Sequence, residues 1–137
     1  MKKFLSVLAF ALCILSVNFC FANPYDDNPN YIRVRHAPNS FAYINKNSVD
    51  VQEYNPPHYQ IAVHYVVVVE GRGGENTTQE YDIAKRYNWD TKETFHLNEK
   101  GVWQKDDIKG NLARDARSRA FCDAIFRAAY GMDFYGY

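Results

Sequence analysis

Gln60-Ile61-Ala62-Val63-His64-Tyr65-Val66-Val67-Val68-Val69 is β-branched or aromatic almost throughout. Such side chains suit a pleated, half-buried surface, and the run predicts a central strand. Alternation places Ile61, Val63, Tyr65, Val67 and Val69 on one face and Gln60, Ala62, His64, Val66 and Val68 on the other. The first face is the more apolar and is expected to meet the core. Beyond the strand, Glu70-Gly71-Arg72-Gly73-Gly74-Glu75 reads as a hairpin turn, since its glycines supply the positive φ values that tight turns use. Thr77 to Tyr87 returns as the partner strand, with Tyr81 and Ile83 on one face. Thr91 to Leu97 and Gly101 to Gln104 pair around a second turn, Asn98-Glu99-Lys100-Gly101.

The stretch before the strand is a series of shorter pieces. Asn55-Pro56-Pro57 has no place in a sheet interior, because proline has no N–H to give the ladder. Ser48 to Gln52, Phe41 to Ile44 and Tyr31 to Arg35 alternate or run apolar and read as strands, separated by turns at Asn45-Lys46-Asn47 and Ala37-Pro38-Asn39-Ser40. Asn23 to Asn30, with two prolines among polar residues, reads as a flexible leader.

From Asn111 the apolar period changes from two to near four. Leu112, Ala116, Ala120, Ala124 and Ala128 form one row, and Phe121, Ile125 and Ala129 the next, so an amphipathic helix is expected. Asn111 is its N-cap and Gly131 its stop. Asp115–Arg119 and Asp123–Arg127 are spaced for i,i+4 ion pairs on the wet side, each contributing about 0.3–0.5 kcal/mol. Met132 to Tyr137 is a short aromatic tail. Strands first and a helix last give an α+β fold: an antiparallel β-sheet of about five to seven strands with one C-terminal α-helix packed on one face.

The chain's 137 residues suffice for one domain. Met1-Lys2-Lys3, the apolar run Phe4 to Val17 and Cys20-Phe21-Ala22 read as a bacterial secretory signal, residues 1–22, too short for a membrane span. Val17-Asn18-Phe19 is bulky where a lipobox needs small residues, so lipidation at Cys20 is not expected. Residues 23–30 are then the leader and 31–137 a single α+β domain. Sixteen basic side chains balance sixteen acidic ones; without Lys2 and Lys3 the count is 14 against 16, a net −2. That excludes a nucleic-acid binder working by bulk charge. Cys13 and Cys20 leave with the signal, so Cys122 alone remains and no internal disulfide is expected.

Candidate chemistry is sparse. His36, His58, His64 and His96 have no metal-ligand spacing, and neither a metal nor a cofactor is implied. Cys122 sits mid-helix, away from the thiolate-stabilising positions a nucleophile needs, and reads as a small buried hydrophobe. Gly71-Arg72-Gly73-Gly74 leads into a strand and lacks the features of a phosphate loop. Arg114, Arg117 and Arg119 with Lys105 and Lys109 form one basic region, read as a solvated helix face with an acidic partner as the alternative. The aromatic content, 16% and led by 11 tyrosines, stands out. Tyr25, Tyr54, Tyr59, Tyr135 and Tyr137 fall in the expected leader, loops and tail, and tyrosines so placed are candidate partner-binding residues.

The order of these pieces resembles the surface-adhesin protein E family of bacterial envelope proteins. The likeness rests on Tyr31-Ile32-Arg33, Phe41-Ala42-Tyr43-Ile44-Asn45-Lys46-Asn47-Ser48-Val49, Tyr81-Asp82-Ile83, Ala120-Phe121-Cys122 and Tyr130-Gly131. The resemblance implies an antiparallel sheet with a C-terminal helix on its concave side, and an exported protein that in adhesin members binds host matrix and serum proteins. Two features depart from it: the namesake bonds the cysteine matching Cys122 to one in the sheet, where Tyr81 to Tyr87 holds none, and it is a lipoprotein. The expectation is an exported, non-enzymatic binding domain, in the periplasm, on the outer surface or secreted, holding a protein or cell-surface partner. The alternatives are an envelope component self-associating through Tyr25 and the tail, and an enzyme using Cys122.

Overall fold

A computed structural model describes residues 23–109 and 113–136. The expected signal 1–22, the N-cap Asn111, Leu112 and Tyr137 lie outside them. Among the described residues seven strands precede one α-helix: β1 Tyr31–Ala37, β2 Ser40–Asn45, β3 Asp50–Asn55, β4 His58–Glu70, β5 Asn76–Asn88, β6 Glu93–Leu97, β7 Trp103–Lys105 and α1 Ala113–Tyr130. All pairings are antiparallel, in the order β1-β2-β4-β5-β6-β7, with β3 on the other half of the β4 edge. The fold is α+β, as expected.

β4, 13 residues long, organises the sheet. β5 pairs along its full length, His58 to Glu70, while β2 takes Tyr65–Val69 and β3 takes His58–Ala62 on the opposite edge. Between these two partners the His64 N–H would lack an acceptor. Ser48 supplies it: its Oγ, in the 3-10 turn Lys46–Ser48, accepts from His64 N at 2.8 Å. Ser48, expected to open a strand, is therefore held in a turn, and β3 starts at Asp50 and runs on to Asn55. Pro56-Pro57 forms the tip of the β3–β4 hairpin, outside the ladder.

The second face of β4 is also buried, at Val66 and Val68, where only the first was expected to be. Ile61 and Val63 join the core beneath α1 with Ile44, Val34, Tyr87, Ile125 and Phe126, and Tyr65 packs against it. Val69, assigned to that face, is 41% exposed at the strand end. On the opposite face Val66 and Val68 form a second cluster with Tyr43, covered by Tyr25, Tyr31 and Phe41. Tyr25 brings residues 23–30 into this cover, and they are docked rather than extended as a flexible leader. Successive turns (Asp26 N to Asn23 O, Asn28 N to Tyr25 O) lead into β1. The Tyr43 hydroxyl donates to Asp26 at 2.8 Å and accepts from Asn23 Nδ2, while Arg33 pairs with Asp26 at 3.2 Å. Burial, helped by Asp26, pushes the Tyr43 phenol up to about 12.

The buried face of α1 is rotated from the expected alanine stripe. Ala116 and Ala120 are exposed; Cys122, Ala124, Ile125, Phe126 and two carboxylates, Asp115 and Asp123, are buried. A methyl contributes little on burial, whereas Phe126 and Ile125 contribute about 1.5–3 kcal/mol each, so the large side chains set the face. Neither expected ion pair forms on the wet side. Asp115 accepts from the Lys109 N–H at 3.2 Å, and Asp123 accepts from the Tyr135 N–H at 2.7 Å. Arg127 pairs with Asp133 instead. After Gly131, at φ +73, the tail folds back and buries Phe134 completely among Tyr87, Trp89 and Phe126. Lys92 clamps it: its ammonium sits 3.3 Å from the Trp89 ring centre and donates to the Phe134 carbonyl at 2.7 Å.

Candidate functional site

The five candidate tyrosines do not form one surface. Tyr25 packs between Tyr31 and Tyr43, at 4.9 and 5.3 Å between ring centres. Tyr135 lies against Phe134 with its hydroxyl 3.2 Å from Thr94 Oγ1, and burial raises its phenol to about 12. Tyr137 lies outside the described residues. Tyr54 and Tyr59 do come together, directly opposite one another on β3 and β4 with rings 5.6 Å apart. Tyr130, from the last turn of α1, completes the group at 5.9 Å from Tyr54 and 5.4 Å from Tyr59. The cluster is anchored from below by Phe126, 5.4 Å from Tyr59 and 4.8 Å from Tyr130. Tyr54 forms its outward side, at 67% exposure. Rings held by rings offer a rigid aromatic contact with little conformational entropy left to lose. Tyr130 is not among the sequence candidates, because it lies in the helix next to the Gly131 stop rather than in the leader, a loop or the tail.

At the other end of α1 a cleft of about 360 Å³ opens between helix and sheet. Arg114 and Arg117 of the expected basic region reach it, joined by Arg35 and His36 from β1. The rest of that region disperses: Lys105 pairs with Glu93, Lys109 with Asp107 at 3.4 Å, and the Arg119 guanidinium lies 5.7 Å from the Tyr135 ring centre. Inside the cleft, Asp106 receives Lys85 Nζ at 2.7 Å and His96 Nδ1 at 2.7 Å. Burial opposes ionisation of Asp106, but the Lys85 charge and hydrogen bonds from Lys85, Thr94 and His96 prevail, holding its carboxyl below the usual range. Lys85 is itself a visible break in the inward series Tyr81, Ile83, Lys85, Tyr87; a cation in an apolar register requires a buried partner.

Cys122 borders this cleft but is buried, with its Sγ 3.8 Å from Thr94 Oγ1. Burial pushes its thiol up to about 11, which leaves it protonated at neutral pH. Its main-chain carbonyl accepts from the Tyr87 hydroxyl at 3.0 Å, a buried tie between sheet and helix. His64 sits on the outer face of β4, 2.8 Å from Asp82 and 3.6 Å from Glu80. No group of three or more histidine, cysteine or acidic residues is placed to hold a metal among the described residues. No described helix is long and apolar enough to cross a membrane. No family model, curated protein or solved structure matches the chain.

Proposed function

We propose that this protein is an exported, non-enzymatic binding domain, similar in role to surface-adhesin protein E, that holds a protein or cell-surface partner. The observation that carries the reading is the Tyr54–Tyr59–Tyr130 cluster: a rigid aromatic group, supported by core rings, with Tyr54 presented outward. Exposed tyrosine on a fixed scaffold is what protein interfaces use as an anchor. Interface anchors need no perturbed acid, base or nucleophile, and the thiol at Cys122 is poorly suited to be one. Of the handles for the self-association alternative, Tyr25, Phe134 and Tyr135 are packed within the fold, while Met132 is exposed.

The test compares the wild-type chain with Tyr54→Ala in capture from host-matrix proteins and from envelope extract. Tyr54→Ala is expected to weaken capture of the same partner by more than about tenfold, since an anchor of this kind contributes at least 1.4 kcal/mol. Equal capture by the two proteins, or capture of nothing by either, would overturn the reading.

A further inference from the structure

β1 is an outer strand of the sheet: β2 pairs with one of its edges, and no described strand pairs with the other. Ile32 lies opposite Ile44 and Val34 opposite Ala42, and the same ladder continues to the Lys46 N–H, which donates to the Asn30 carbonyl at 2.8 Å. Antiparallel partners exchange hydrogen bonds at every second position. Ile32 and Val34 therefore turn their main-chain groups toward β2, and Tyr31, Arg33 and Arg35 turn theirs to the outer edge. The Tyr31 N–H is taken by the Asn28 carbonyl at 3.0 Å. The N–H and C=O groups of Arg33 and Arg35 have no strand to pair with among the described residues. Side chains alternate along β1: Ile32 and Val34 point to the core beneath α1, and Arg33 and Arg35 to the opposite face, where Arg33 lies over Phe41. An open groove of about 470 Å³ runs beside this edge, between Ile32 and Val34 of β1 and Ala116, Ala120 and Ala124 of α1. Ala116 and Ala120 are exposed, so the helix wall is low and apolar.

We propose that this edge docks an extended segment of a partner protein, added to β1 as an antiparallel strand in which acidic and small apolar residues alternate. Main-chain hydrogen bonds to Arg33 and Arg35 would hold such a strand, and its side chains would set the specificity. Residues opposite Arg33 and Arg35 share the face of the arginines, and carboxylates there are complementary to them. Asp26 offsets Arg33 alone, at 3.2 Å, while Arg35 forms no ion pair among the described residues. Residues opposite Ile32 and Val34 point the other way, into the groove, where the alanine wall leaves space for side chains of valine size. A second copy of this chain is the poorer occupant. Antiparallel pairing of two β1 edges centred on Arg33–Arg35 sets arginine opposite arginine, and like charges so placed are destabilising. The groove shares no lining residue with the Tyr54–Tyr59–Tyr130 cluster, so it stands or falls independently of the reading built on Tyr54.

The test is titration of the isotope-labelled protein with the peptide acetyl-Glu-Val-Glu-Val-Glu-Val-Glu-amide, followed by NMR. Saturable shifts are expected at the Arg33 and Arg35 amides and at the methyls of Ile32, Val34, Ala116 and Ala120, with slowed hydrogen exchange of the two arginine amides. The double variant Arg33→Glu, Arg35→Glu is expected to weaken binding by about tenfold or more, and Ala120→Trp, which fills the groove, by a similar factor. All three positions are exposed, so these variants keep the fold. Arg72→Ala, in the β4–β5 turn, changes nothing. N-methylation of the peptide separates strand pairing from charge attraction. Methyl groups on the glutamate nitrogens, which face β1, should weaken binding at least about tenfold, whereas methyl groups on the valine nitrogens, which face away, should leave most of it. The proposal is overturned by absence of saturable shifts up to about 10 mM peptide, by unchanged affinity in the double variant or in Ala120→Trp, or by equal effects of the two methylation patterns. Equal binding of the peptide with lysine in place of glutamate would overturn the acidic partner. Shifts of the Arg33 and Arg35 amides on raising the protein concentration alone would overturn it in favour of a second copy.

Discussion

The two ends of α1 meet the sheet in opposite ways. From Cys122 onward the helix lies on packed rings: Phe126 touches Tyr59, Tyr87, Trp89, Tyr130 and Phe134 at 4.8–5.6 Å between centres. Before Phe121, the helix carries arginines and small side chains over a cleft whose polar wall is the Lys85–Asp106–His96 network. One end is stabilised by dispersion and burial, the other by charge pairing. The difference follows from where the large side chains sit in the helical sequence. On the helix the cleft is lined by Arg114, Arg117 and Ser118 ahead of Phe121, and a gap lined by charge persists where a run of large apolar side chains would have closed it.

Four substitutions can break or sharpen this contrast. The largest effect is expected from Phe126→Ala, which removes the ring common to the aromatic end; loss of about 3–5 kcal/mol is expected from denaturant unfolding. Asp106→Asn comes next. It leaves the Lys85 ammonium, only 10% exposed, without its counter-charge, and about 3 kcal/mol should be lost at neutral pH. This effect depends on pH. A carboxyl held below its ordinary value in the fold contributes fully above the unfolded value of about 3.9, and the contribution disappears as pH falls through the folded value. Wild-type stability should therefore decline on acidification below about pH 4 more steeply than that of Asp106→Asn, as thermal midpoints across the acid range will read.

Tyr87→Phe is expected to cost about 1 kcal/mol, by deleting the buried hydroxyl that serves the Cys122 carbonyl; its effect should persist at all pH values below the tyrosine range. Asp123→Asn should have the smallest effect and the opposite pH sign. Burial, reinforced by Asp133 and opposed by the Tyr135 N–H, raises the Asp123 carboxyl above its ordinary value. A raised acid loses stability as pH climbs from the unfolded to the folded value, so ionised Asp123 is a small liability at neutral pH. Asparagine keeps an oxygen for the Tyr135 N–H, and the variant is expected to match or slightly exceed wild-type stability at pH 7, with the comparison reversing in strong acid. A steep loss at neutral pH would show the charge of Asp123, rather than its acceptor, to be what holds the tail.

Much of the architecture is legible in the chain. Gln60 to Val69 announces β4, the glycine-rich turn its return, and Asn98 to Gly101 the β6–β7 hairpin, because alternation and turn chemistry act over a few residues. The buried role of Cys122 is legible as well, from its mid-helix place. The candidate sites are far less so. Tyr54 and Tyr59 are close in sequence, but Tyr130 reaches them only through the helix crossing. Arg35 and Arg117 are distant in the chain and border one cleft only because β1 and α1 adjoin. The docking of residues 23–30 was hidden for a related reason: Asn, Asp and Pro look like solvent-facing turn formers, and they are, but the turns happen to hold Tyr25 over Val66, Val68 and Tyr43.

Local pattern thus determined which segments are strands, which is helix and where the chain reverses, since backbone preferences and short-period burial are properties of neighbouring residues. Tertiary structure alone decided which face of the helix is buried, which acids pair with which bases, and which tyrosines become core and which become surface. Those outcomes depend on distances between segments far apart in the chain, and the side chains with most area and charge to place, Phe126, Phe134 and Lys85, settle them first.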